Sequence, residues 1–133
     1  MSRSSIFYWF LCIFTFCLHQ VFQKFAHITM PFLDQYLDPF CAIPILCGAL
    51  VFERNYFFSR TQKTAPNYRL PLFDTVIICG ALSLLFELGF PQISTLFFYD
   101  PYDFLAYLAG MIYFYFFINP GNEKSNRGFG NLQ

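Results

Sequence analysis

Seven of the eight acidic residues in this 133-residue chain stand within or beside strongly apolar stretches, and five of them, Asp34, Asp38, Glu87, Asp100 and Asp103, fall toward the ends of those stretches that four spans would place on one side. A carboxylate in such a setting has a few distinct uses. It can accept hydrogen bonds from the free N–H groups that open a helix, ligate a divalent cation, or hold a cationic or hydrogen-bonding group. Helical spacing sorts the candidates. Gly80, Ser83 and Glu87 share a face at i, i+3 and i+7, and Asp103, Tyr107 and Gly110 share one at i, i+4 and i+7. Asp34, Asp38, Cys41, Ile45 and Gly48 form a third row if helix runs back to Asp34. Small and polar residues on apolar helices face other helices, so the three stripes are expected to converge. The candidate ligand-binding set is therefore Glu87, Asp103, Tyr107, Asp100, Asp34 and Asp38. Glu87 and Asp103 are its central acceptors, Tyr107 a donor, and Asp34, Asp38 and Asp100 its rim.

Each acid also has a plainer use. Asp38, Asp100 and Asp103 sit where they could cap helix starts, where negative charge favours the dipole. Glu87 lies near a helix end instead, and its plainer use is to reach headgroups and water, where an acid costs less than the roughly 2.5–3.5 kcal/mol of mid-membrane. His19 and His27 flank the end of the first apolar run. With the acids they offer mixed oxygen and imidazole ligands for a divalent cation, at spacings that do not specify one.

The five cysteines, Cys12, Cys17, Cys41, Cys47 and Cys79, all fall in apolar runs with no CxxC or zinc spacing, and read as small packing side chains. The chain has no GxSxG, P-loop, HExxH or GxGxxG pattern, so no enzyme class is indicated. Nor does any basic patch with interleaved aromatics point to nucleic acid.

The elements that must position these groups follow from composition. The chain is 56% hydrophobic and 12% charged, with 21 Phe and 9 Tyr. A small soluble domain has too much surface to hide so many large apolar side chains, whereas lipid accepts them. Four apolar segments stand out: Ile6–Phe22, Pro39–Phe52, Leu72–Phe90 and Phe104–Ile118. The expected fold is all-α, a bundle of four short transmembrane helices over residues 1–118, followed by a flexible tail over 119–133. Asp38-Pro39, Leu70-Pro71 and Asp100-Pro101 read as helix starts, Pro91 and Asn119-Pro120 as helix ends, and Pro44 as a kink. The first segment lacks a small-x-small cleavage site and reads as a retained helix.

Basic residues set an orientation. With four spans, Arg3, Arg54, Arg60, Lys63, Arg69, Lys124 and Arg127 share one side, and only Lys24 is opposite. By the positive-inside rule that side is cytoplasmic, with both termini. The five acids then lie toward the outer face.

The stretch from about Leu70 to Ile118 resembles the VanZ-like family of small bacterial membrane proteins. That family has a Glu late in one span and a Gln shortly after, then an acidic outer loop. An Asp opens its next span, with a Gly seven residues on. Glu87, Gln92, Asp100, Asp103 and Gly110 fit those positions. Tyr107 stands where the family usually has Asn, and the Arg many members carry between the Gln and the Asp is absent here. The whole chain, with Pro31-Phe-Leu-Asp-Gln-Tyr-Leu-Asp38, is similar to short bacterial proteins labelled magnesium–citrate secondary transporters. The resemblance implies a multi-pass inner-membrane protein surrounded by lipid. Three functions remain open: a site for a cation or an envelope-lipid group; transport of a divalent cation or its citrate complex by a homo-oligomer; and a structural subunit whose acids only cap and anchor helices.

Overall fold

A computed structural model describes residues 3–27, 30–62, 68–93 and 100–119, and among these every regular element is helical. Helix α1 spans Arg3–Phe25 and α2 spans Pro31–Gln62. Helix α3 runs over Leu72–Ile93, with a π-helical turn at Leu85–Gly89, and α4 runs over Asp103–Ile118, with one at Phe114–Ile118. The first three are long and apolar enough to cross a membrane. The fourth, at 16 residues, is roughly 24 Å long.

Helix α2 departs most from expectation. Asp38-Pro39 does not start it: the helix begins at Pro31 and continues through both Pro39 and Pro44 for 32 residues. Pro31 already occupies the first helical position, where its missing N–H is no loss. Internal prolines are tolerated when neighbouring helices attend to the carbonyls they orphan. Pro44 can give no N–H to Phe40, and the Phe40 carbonyl instead lies directly against Gly110 of α4. A side chain at 110 would displace that carbonyl, so α2 and α4 meet at backbone distance, and α2 packs more extensively against α4 than against any other element.

Pro91 likewise does not close α3, which continues to Ile93. The π-turn just before it carries the Phe90 N–H back to the Leu85 carbonyl, five residues earlier, and absorbs one extra residue ahead of the proline. The wider turn also holds Glu87 in line with Ser83. The buried stripe of α3 is therefore Thr75, Cys79, Ser83 and Glu87. Gly80, expected on that stripe, is exposed, and a Cβ placed there would meet no other element within 4 Å. The spacing of four through Cys79, rather than of three from Gly80, selects the inward face.

Two asparagines tie down the end of the bundle remote from the acids. Asn119 accepts the Leu70 N–H at 3.0 Å and donates to the Leu70 carbonyl at 2.8 Å, completing both backbone bonds of a buried residue. Asn55 accepts the Tyr68 N–H at 2.8 Å and donates to the Val51 carbonyl at 2.8 Å. Asn119 is thus a buried member of the bundle and not the start of a tail; residues 120–133 lie outside the described residues. Between these clamps and the acids sits an apolar core that includes Ile43, Cys47, Val51, Cys79, Phe114 and Ile118. All five cysteines carry free thiols, four of them buried and Cys17 exposed.

Candidate functional site

The continuous α2 brings Asp34 and Asp38 up beside the ends of the other helices. All six candidate residues, Asp34, Asp38, Glu87, Asp100, Asp103 and Tyr107, line one cavity of ≈ 650 Å³. Its walls are completed by Gln35, Pro39, Ala42, Ile45 and Leu46 of α2, Phe16 of α1 and Phe86 of α3. Among the described residues, no lysine or arginine lines it.

Glu87 is the most enclosed acid, 4% exposed. The Tyr107 hydroxyl donates to its Oε1 at 3.5 Å, and the Asp100 backbone N–H donates to its Oε2 at 3.2 Å. Both bonds are long for a buried carboxylate, whose charge-assisted bonds usually close to about 2.7–2.9 Å. Tyr107 is itself buried, stacked against Phe86, with Glu87, Asp103 and Asp38 in electrostatic reach. Asp103, in the first turn of α4, has a buried Oδ1 without a hydrogen-bond partner.

Asp100 has the most complete set of partners. Its Oδ1 accepts the Tyr102 N–H at 2.9 Å and its carbonyl accepts the Asp103 N–H at 3.1 Å, so it shapes the turn into α4. Its Oδ2 accepts from the Gln35 side chain, which fastens that turn to α2.

On the α1 side the two rim aspartates enclose a histidine. His19 is 8% exposed, with Nε2 2.8 Å from Asp34 Oδ1 and Nδ1 3.4 Å from Asp38 Oδ1. Gln20 donates to Asp38 Oδ2 at 2.9 Å, and the Met30 N–H donates to Asp34 Oδ2 at 2.9 Å. His19 Nδ1 and Asp38 Oδ1 face each other as buried polar atoms with no hydrogen bond. His27 stands apart, exposed in the turn after α1 with φ of 51°.

Gln20 and Gln35 were not legible as site features; His19 was named beside the acids, but not which aspartates it meets. Seeing them required α2 to continue through Pro39, which the Asp-Pro pair argued against. A signal was present in the adjacent polar pairs His19-Gln20 and Asp34-Gln35, set in otherwise apolar helices.

The arrangement can hold positive charge. Five carboxylates border one space with no described lysine or arginine on its walls, His19 being paired with the two at its rim, and a unit charge roughly 6 Å from one carboxylate gains about 3 kcal/mol at an effective dielectric of 20. Among the described residues, no three His, Cys, Asp or Glu side chains group as they would around a metal ion. Asp103 lies within electrostatic reach of both Glu87 and Asp100. No family model, curated protein or solved structure matches the chain.

Proposed function

We propose that this chain is a four-span, VanZ-like protein of a bacterial inner membrane, with both termini cytoplasmic, that binds a cationic headgroup in its outward-facing carboxylate cavity. The observation that carries the reading is the shared cavity: Asp34, Asp38, Glu87, Asp100, Asp103 and Tyr107 line ≈ 650 Å³ that, among the described residues, no lysine or arginine enters. A space of that size suits an ammonium-type group of an envelope lipid better than a bare metal ion, which needs ligands converging at about 2.0–2.6 Å. Glu87 and Asp103 are the central acceptors, and Tyr107 orients Glu87. The likeness to VanZ-like proteins rests on the order and spacing of Glu87, Gln92, Asp100, Asp103 and Gly110.

The test uses purified protein in nanodiscs, titrated with a long-chain primary ammonium amphiphile. Glu87→Gln keeps the shape and removes the charge, and it should weaken binding by tenfold or more, while salt weakens binding to the native protein. Unchanged affinity in Glu87→Gln and in Asp103→Asn would end this reading. Metal-dependent citrate or magnesium uptake into proteoliposomes would favour transport instead. The bonds of Asp100 to Tyr102 and Gln35 favour a structural role for that one residue, so Asp100→Asn should act mainly on stability.

A further inference from the structure

The end of the bundle opposite the carboxylates gathers three guanidinium groups, each seated on an aromatic ring. Arg54 lies 5.7 Å over Tyr68, Arg60 lies 5.3 Å over Tyr56, and Arg69 lies 4.9 Å over Tyr115. Arg60 also donates to the Tyr56 hydroxyl at 2.9 Å. Among the described residues none of the three has a carboxylate within 4.0 Å. Among the described residues Arg3, Glu53 and Asp74 are the other charged groups at this end, and all three are exposed.

A guanidinium resting on a ring face has its charge partly stabilised there, while its in-plane N–H donors stay available at the edge. The platform is also held in place. Tyr68, Arg69 and Leu70 form a short strap. Asn55 bonds the backbone of Tyr68, and Asn119 bonds both backbone groups of Leu70. Arg54 therefore rests on this fixed segment through the Tyr68 ring and Arg69 is part of it, and Tyr115 belongs to α4, whose end the Asn119 clamp also fixes.

Depth supplies the occupant. The 32 residues of α2 span roughly 48 Å against a hydrocarbon core of about 30 Å, so α2 emerges from the bilayer. Around Arg54 and Arg60 it exposes Phe52, Tyr56 and Phe57, the mixture of rings and cations that settles at a membrane interface. We propose that this end is a binding site for the phosphate-bearing headgroup of an acidic phospholipid. Arg54 and Arg69 donate to the phosphate oxygens, Arg60 flanks them, and Phe52 and Phe57 lie along the acyl chains. Positive charge without acidic partners meets a negative headgroup at the depth where that headgroup lies. The inference rests on the membrane-spanning reading but not on the carboxylate cavity, and it stands or falls independently of Glu87→Gln.

The experiment measures retention of a spin-labelled phosphatidylglycerol against spin-labelled phosphatidylcholine by the full chain in mixed bilayers. The native protein should prefer the acidic lipid. Arg54→Gln and Arg69→Gln should each lower that preference about fivefold, the effect of one basic side chain near an anionic surface. The double variant should lower it more than tenfold, and Arg54→Lys should retain most of it. Both arginines are exposed, so neither change empties the core; Tyr115→Leu, which removes the platform but no charge, should weaken selectivity as well. Equal retention of the two lipids by the native protein would overturn the proposal, as would unchanged preference in the double variant. Competition by millimolar inorganic phosphate would overturn the assignment to a lipid.

Discussion

Replacing Gly110 with alanine tests the seam on which the carboxylate cavity depends. A methyl group at 110 would overlap the Phe40 carbonyl oxygen and come 3.2 Å from both the Phe40 carbonyl carbon and Pro44 Cδ. Carbon pairs sit best at about 3.5–4.0 Å, and the oxygen overlap is deeper than theirs, so α4 must withdraw from α2 by on the order of 1 Å. The obstacle is backbone held in a proline-containing helix, so no side-chain rotation relieves it. Overpacking costs about 1–3 kcal/mol, here toward the upper end of about 2–3 because the obstacle is backbone, and the gain of about 1 kcal/mol from replacing a helical glycine offsets only part of it. Gly80 is the control, because nothing lies within 4 Å of a methyl group built there. Gly80→Ala should therefore be neutral or stabilising, while Gly110→Ala should lower Tm by roughly 3–10 °C. Gly48→Ala should fall between the two, since the methyl meets the Trp9 ring, which can move if it gives up its 3.2 Å bond to the Ile45 carbonyl. Thermal unfolding of the three variants in one detergent is the assay. Equal Tm values for Gly110→Ala and Gly80→Ala would refute the close α2–α4 contact, and with it the placement of Asp103 and Tyr107 opposite Asp34 and Asp38.

Two further outcomes check the frame. Asn119→Ala leaves the Leu70 N–H and carbonyl without partners in a buried site, a loss of about 2–4 kcal/mol that should appear as a lower unfolding midpoint in denaturant titration; an unchanged midpoint would remove the clamp. In a Cys17→Ser background, single cysteines at the exposed positions Ser59 and Ala26 should react with a membrane-impermeant maleimide from opposite sides of sealed vesicles, and same-side labelling would overturn the proposed orientation.

Hydrophobic runs identified the helices because the lipid-like composition leaves little else for such segments to do. Local proline rules failed at Pro39 and Pro91 for one reason. Those rules count the N–H a proline removes, but not what a neighbouring helix or a π-turn can do to accommodate the loss. Gly110 was legible as a packing residue from its spacing to Asp103 and Tyr107. That it covers the Phe40 carbonyl was not, because the two residues lie 70 positions apart in sequence. The six cavity residues were identifiable because acids are rare in apolar helices and stand out individually. Their partners Gln20, Gln35 and His19 are uncharged or weakly distinctive, and only the completed α2 sets them beside the acids. Asn119 was legible only as a helix end and Asn55 not at all, because an asparagine that completes another segment's backbone bonds carries no sequence pattern.

The chemistry at Glu87 separates binding from architecture. Its bonds to the Tyr107 hydroxyl at 3.5 Å and the Asp100 N–H at 3.2 Å are long for a carboxyl group 4% exposed. Burial without a paired cation costs several kcal/mol. If position 87 served only to fasten α3 to α4, glutamine would do it at lower cost, since its carbonyl accepts the Asp100 N–H and its amide donates to the Tyr107 oxygen. Glu87→Gln should then raise stability or leave it unchanged whichever role is correct, so stability cannot discriminate. Affinity for a cationic amphiphile can, because a gain of about 3 kcal/mol from one carboxylate at roughly 6 Å corresponds to more than a hundredfold in Kd, and partial screening still leaves tenfold. A variant that is no less stable yet has lost the ligand is the signature of an acid whose desolvation is offset by what it binds. A variant that is more stable and binds equally well would assign Glu87 to the architecture of the bundle and leave the cavity without its central acceptor.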